Sequence, residues 1–204
     1  KVWVDHNRIS LIGRQFFVSG FDPATNVTFS YNELDGNTPY SSNCDGTHYW
    51  TMLFAGSENT MTLMGNWIHH TSGRGPHAGG TSPVAQKVYA QFANNYYQNV
   101  TGHAADPADN ANLFYEGTYF QSVKTPFVTT DGGYSYAPVS SNLSSTSSAC
   151  SSALGRACIA NANSAAGTFP LNAQALTAMT NYKSSLVAPY PATEVPSCVP
   201  YLAG

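Results

Sequence analysis

Charge is the scarcest commodity in this chain of 204 residues: Asp, Glu, Lys and Arg make up only 9% of it. The formal net charge of −3 leaves no basic surface of the kind that nucleic acid requires, and it argues weakly against a purely polyanionic ligand. Long apolar runs are missing too. None reaches the roughly 18 residues that a helical membrane span needs, so no membrane partner is expected. Cysteine is sparse, and none of the four lies in a Cys-x-x-Cys unit. Cys150 and Cys158 sit in a Ser/Ala-rich stretch containing glycine, where a disulfide closing a small loop is favoured over a metal site. The acidic residues Asp5, Asp22, Asp35 and Asp45 show no calcium-loop spacing. Disorder is excluded from the other side, because 42% of the residues are apolar and 13% aromatic.

What is abundant is Ser, Thr, Asn and Gly, the uncharged polar surface of a secreted protein. The sequons at Asn26, Asn99 and Asn142 agree with that location and are candidate glycosylation sites. The chain opens on a strand-like segment from Lys1, with neither an initiator Met nor a signal peptide. Either a mature protein starts there or an N-terminal piece is missing.

A loose internal repeat organises the first 123 residues. One frame, apolar-x-apolar-x-x-Asn-x-apolar, occurs five times. It runs through Val2, Val4, Asn7 and Ile9, then Val27, Phe29, Asn32 and Leu34, then Met61, Leu63, Asn66 and Ile68. Ala90, Phe92, Asn95 and Tyr97 follow, and Leu113, Tyr115, Thr118 and Phe120 close the series with Thr in the Asn place. Alternation reads as short strands, and Asn, which tolerates left-handed backbone, reads as the bend between them. Strand–bend–strand at an uneven period of about 20–35 residues predicts the coils of a parallel β-helix, with stacked Asn side chains. An antiparallel sandwich with Asn-rich turns is the alternative. Residues 128–168 read as a looped tail over the last coils and 171–186 as one short helix. The prolines at 189, 191, 196 and 200 are expected to end regular structure.

Arginine occurs only at positions 8, 14, 74 and 156. Two of these sit in glycine-flanked loops after strands: Arg14 in Gly13-Arg-Gln15 and Arg74 in Gly73-Arg-Gly-Pro76. Guanidinium forks suit carboxyl or ester oxygens, and Tyr49 and Trp50 offer flat faces for sugar rings. For either arginine alone, pairing with Asp5, Asp35 or Asp45 is an equal alternative. His69 and His70, adjacent on a strand, are expected to point to opposite faces, which favours packing or hydrogen bonding over metal binding.

Six motifs, in order, carry a family resemblance: Trp3-Val-Asp-His6, Ile12-Gly-Arg-Gln15, Cys44-Asp-Gly-Thr-His-Tyr-Trp50, Ser72-Gly-Arg-Gly-Pro76, Asn94-Asn-Tyr-Tyr97 and Glu116-Gly-Thr-Tyr-Phe-Gln121. Together they resemble the C-terminal part of fungal-type pectin lyases, from residue 1 to about 169. The resemblance implies an all-β, right-handed parallel β-helix as a single domain over residues 1–204, with coils to about 123, a tail from 124, and several coils missing before Lys1. The family's upstream site aspartate then has no counterpart here. It implies calcium-independent β-elimination of methyl-esterified galacturonan by a secreted monomer without cofactor or metal, with pectin as its partner. Arg74 would be the base, Arg14 the oxygen-binding cation, and Tyr49, Trp50 and His77 substrate contacts. Cys150–Cys158 matches the family's small disulfide loop, while Cys44 is either free or paired with Cys198. Two departures stand out: His77 occupies a place where the family often has lysine, and Phe54-Ala-Gly56 replaces its Leu-Asp-Gly. A calcium-dependent pectate lyase and a non-catalytic pectin-binding remnant remain open.

Overall fold

A computed structural model describes residues 1–80, 85–164 and 167–204. The strands stack into a parallel β-helix. The first coil holds β1 (Val2–Asp5), β2 (Arg8–Ser10) and β3 (Phe17–Ser19). The second holds β4 (Ala24–Ser30), β5 (Glu33–Asp35) and β6 (Met52–Phe54), and the third β7 (Asn59–Met64), β8 (Trp67–His69) and β9 (His77–Ala78). In the fourth, β10 (Val88–Ala93) leads into the long β11 (Tyr96–Pro107). The fifth has β12 (Ala111–Glu116) and β13 (Tyr119–Phe127), and the short strands β14 (Tyr134–Tyr136) and β15 (Ala162–Asn163) extend the stack. These strands pair with one another in parallel, in the orders β1-β4-β7-β10-β12-β14 and β2-β5-β8-β11, with β3-β6-β9 meeting the far end of β11.

The repeat frame is the structural register. Val4 pairs with Phe29, Phe29 with Leu63, Leu63 with Phe92 and Phe92 with Tyr115. Like positions therefore stack inside the coil: the Phe92 and Tyr115 rings lie 4.2 Å apart at 5°, and Tyr97 and Phe120 lie 5.1 Å apart at 3°. The aligned Asn side chains form a ladder. Asn7 Nδ2 donates to Asn32 Oδ1 at 2.9 Å, Asn32 to Asn66 at 3.1 Å and Asn66 to Asn95 at 2.8 Å. The left-handed residue of each bend is not the Asn, as its backbone tolerance suggested, but the one before it: His6, Tyr31, Gly65, Asn94 and Gly117 all have φ between 51° and 64°. The division of labour is physical. One residue reverses the chain, while the next uses its amide to bond backbone and neighbour. Asn161, outside the five-frame repeat, adds a further rung by accepting from the Thr118 amide at 3.0 Å.

The tail is more ordered than its composition suggests, with three α-helices among the described residues rather than one. α1 (Leu143–Leu154) occupies the Ser-rich stretch read as loop. Its hydroxyls bond carbonyls of the preceding turn, as Ser145 does to Asn142 at 2.8 Å and Ser147 to Ser144 at 3.0 Å. Thr146, Cys150 and Leu154, four residues apart on one face, are buried, and Gly155 ends the helix at φ 74°. α2 (Ala173–Met179) lies within the expected 171–186 window. α3 (Val195–Leu202) forms despite Pro196 and Pro200. Pro196 sits in the first turn, where no amide bond is lost, and Val195 and Val199 bury against Tyr96.

Cys150 and Cys158 are joined as a disulfide, whereas Cys44 and Cys198 are both free. The disulfide loop delivers Arg156 to Glu116 in a bidentate pair, at 2.7 and 2.6 Å. Glu116 is fully buried, and this pairing makes its charge tolerable there. Farther on, the tail pairs with the coils through Val187 on Gln91 and Tyr190 on Asn94.

Candidate active site

The bends from β2 to β3, β5 to β6 and β8 to β9 differ in length, and they carry the rare arginines and the aromatic pair. Residues 11–16 present Arg14, 36–51 present Tyr49 and Trp50, and 70–76 present Arg74. The Arg14 guanidinium lies over the Trp50 ring, 5.3 Å from its centroid. Arg74 lies over Tyr49 at 5.6 Å. The two rings meet edge to face at 5.8 Å. Arginines from the first and third coils thus flank a central aromatic pair from the second, and neither pairs with Asp5, Asp35 or Asp45; it is Arg8 that bonds Asp35.

Local chemistry explains how these groups are held. His48 is buried, and its Nε2 contacts the Arg14 carbonyl oxygen. Its ring also packs edge-on against Phe16 and Trp50. The Phe16 amide donates to the Thr51 carbonyl at 2.9 Å, which fixes the Arg14 loop beside the Trp50 segment. Arg74 takes left-handed backbone, φ 55°, an uncommon conformation for a residue with a side chain. It is anchored on both sides. Thr51 Oγ1 donates to Gly73 O at 2.8 Å, the Met52 amide to Arg74 O at 2.7 Å, and Tyr97 OH to Gly75 O at 2.6 Å. At Gly73 a Cβ would stand 2.6 Å from the Tyr49 ring, so glycine is what lets the tyrosine lie against the arginine loop.

Below Arg74 is a carboxylate that sequence reasoning passed over. Asp106, in β11, accepts from His77 Nδ1 at 2.6 Å, with Arg74 Nε and His103 Nε2 each 3.9 Å from the same oxygen. Burial raises the Asp106 pKa, but the His77 bond and the neighbouring positive groups outweigh it and hold the carboxyl below its usual range. Burial depresses the His103 pKa; Asp106 opposes this, while Arg74 and His77 add to it. Arg74 Nε and His103 Nε2 are buried and make no hydrogen bond among the described residues. No sequence motif marked Asp106 or His103. The available signal was that two titratable side chains three apart fall in a strand whose partner carries His77.

His69 and His70 do not diverge as two neighbours on a strand should. His70 has φ 52°, and the two Nδ1 atoms lie 2.7 Å apart. His69 Nε2 sits 3.1 Å from Glu33.

Sequence comparison gives the family. The chain is 43% identical over its full length to "Probable pectin lyase E" of Aspergillus fumigatus and to "Probable pectin lyase F" of Neosartorya fischeri, covering 53% of each. It is 46% identical over 79% of its length to "Probable pectin lyase F" of Emericella nidulans, covering 33% of that protein. No family model matches the chain. The chain belongs to the fungal pectin lyases, and it spans about half the length of the curated relatives it matches.

Proposed function

We propose that this chain carries the cation-bearing half of a pectin lyase site, which cleaves methyl-esterified (1→4)-α-D-galacturonan by β-elimination without calcium. The observation that carries the reading is the placement of Arg14 and Arg74 over the adjacent rings of Trp50 and Tyr49. Elimination removes the C5 proton and expels the C4 glycosidic oxygen, leaving a 4,5-unsaturated sugar. The methyl ester cancels the carboxylate charge, so the C5 proton is easier to remove, and the charge that then develops on the ester oxygen needs a cation beside it. Arg14, the more exposed of the two, is assigned that oxygen.

Arg74 is assigned the proton. A guanidinium is ordinarily charged, so a base role needs desolvation and neighbouring positive charge to favour the neutral form. Substrate stacked on Tyr49 and Trp50 excludes water from that side, and Arg14 supplies the charge. Asp106 works against the neutral form, but its nearer partner is His77 rather than Arg74. His77, at the position where the family often has lysine, thereby occupies the Asp106 oxygen nearest Arg74. Tyr49 and Trp50 line the cleft.

We further propose secretion of the protein, a single solenoid domain with its tail from residue 124, and a monomeric state. Glycosylation is assigned to Asn26 and Asn99, exposed left-handed positions within β4 and β11, ahead of Asn142, whose side-chain oxygen is already bonded to the Val139 amide at 2.9 Å. No helix among the described residues is long and apolar enough to cross a membrane.

The test is ultraviolet absorbance of unsaturated product, with highly methylated pectin and a calcium chelator present. Growth of the signal, and its loss with de-esterified substrate, supports the assignment. Activity on de-esterified substrate that the chelator abolishes would replace it with the calcium-dependent reaction.

A further inference from the structure

The histidine pair has a geometry that elimination chemistry does not use. His69 ends β8, and the left-handed turn at His70 swings its ring back toward its neighbour. The rings stand edge to face at 5.0 Å, with the Nδ1 atoms converging at 2.7 Å. On the adjacent coil, Asp35 is the parallel partner of His69, and its Oδ1 lies 3.6 Å from His69 Nδ1. One ligand atom from each of the three side chains falls within 4.8 Å of the others.

The surroundings prepare these atoms. Glu33 Oε1 lies 3.1 Å from His69 Nε2, and a carboxylate there holds the ring proton on Nε2, leaving Nδ1 with a lone pair. Arg8 binds the outer oxygens, Glu33 Oε2 at 3.1 Å and Asp35 Oδ2 at 3.2 Å. The inner oxygen of Asp35 faces the imidazoles and is oriented by the Asn37 amide at 3.0 Å. Two carboxylates, Glu33 and Asp35, thus face a single guanidinium, Arg8. Trp67 packs over the His69 ring at 4.1 Å and fixes its plane. Asp35 and His70 are only half-buried, so the remaining coordination positions open to solvent.

We propose that Asp35, His69 and His70 form a binding site for one divalent first-row transition ion of the zinc, nickel or copper class. Two imidazole nitrogens and one carboxylate oxygen are that class's donor set, whereas calcium takes six to eight oxygens. The ion would tie β5 to β8 where both coils enter the catalytic bends. The His48 amide donates to Gly36 O at 2.9 Å and to His70 O at 3.3 Å, so the site adjoins the start of the Tyr49–Trp50 segment. Its role is structural and independent of Arg14 and Arg74.

The experiment is calorimetric titration of the chelator-stripped chain with zinc, backed by competition against a chromophoric chelator and a parallel calcium titration. One zinc per chain and a zinc-dependent rise in melting temperature are expected. His70→Asn, a residue that accepts left-handed backbone, should weaken zinc by about tenfold or more and abolish the rise, with an unchanged circular dichroism spectrum confirming the fold. Asp35→Asn, which keeps an oxygen for the Asn37 amide, should weaken it too, while His6→Asn at an exposed histidine should not. Absence of zinc binding, equal binding in His70→Asn, or tighter binding of calcium would each overturn the proposal.

Discussion

The first two corners of the early coils are built by opposite strategies. At the first corner, between β1 and β2 and their equivalents, a left-handed residue and then Asn or Thr repeat in five coils, and the Asn amides, buried from Asn32 onward, are bonded through the stack. At the second corner the loops of the first three coils differ, from residues 11–16 to 36–51, and carry the cations and rings, while in the fourth coil β11 runs through without a loop. The uniform corner holds the stack in register; the variable corner is thereby free to specialise. A solenoid separates stability from chemistry because neighbouring coils need match only where their strands and ladders stack.

Several substitutions would break or sharpen that separation. The largest effect should come from the variable corner: Arg74→Ala is expected to reduce the elimination rate by about 10³-fold, or about 4 kcal/mol of barrier, with an unchanged unfolding curve. Retained activity would remove the base assignment. At the uniform corner, Asn66→Ala deletes a side chain that accepts two bonds from Asn32 and donates to Phe29 O and Asn95 Oδ1. Because those partners are buried, the loss should be about 3 kcal/mol in urea unfolding. The matching change Thr118→Ala should cost less, since the Thr hydroxyl makes longer contacts, at 3.3 to 3.5 Å.

Cys150→Ser with Cys158→Ser should cost about 2 kcal/mol and loosen the tail, leaving rates per folded molecule alone. Trp50→Ala should weaken pectin binding by about tenfold through lost stacking and cation–π contact, read as a rise in KM. The gentlest perturbation is pH. His69 and His103 have pKa values below the ordinary 6.5, burial being the main cause in each. The unfolded chain therefore binds more protons just below that value, and stability should fall as pH drops through it. The depressed Asp106 adds a second loss as pH falls below its usual 3.8 toward its folded value. Urea midpoints across that range should show both, and His103→Gln should flatten the upper one.

Much of this was legible in the residues. The five-frame repeat gave the strand register position by position, because identical stacking in every coil leaves an identical pattern in the chain. The arginines were visible as rare cations in glycine-flanked loops, and the aromatic pair as neighbours in one motif. Asp106 and His103 were not visible, because what makes them part of the site is contact with a different coil. α1 was hidden because Ser and Thr disfavour helices until tertiary burial of Thr146, Cys150 and Leu154 tips the balance. The opposite-face rule for His69 and His70 failed because it assumes extended backbone, and His70 is not extended.

The sequence by itself determined the solenoid, its register, its disulfide loop and the family to which the chain belongs, all of which follow from periodicity and local motifs. Only the tertiary structure decided which side chains meet: Arg14 with Trp50, Arg74 with Tyr49 and Asp106, and His69 with His70 and Asp35. Such meetings depend on how loops of unequal length fold back over neighbouring coils, and a linear pattern does not encode that distance.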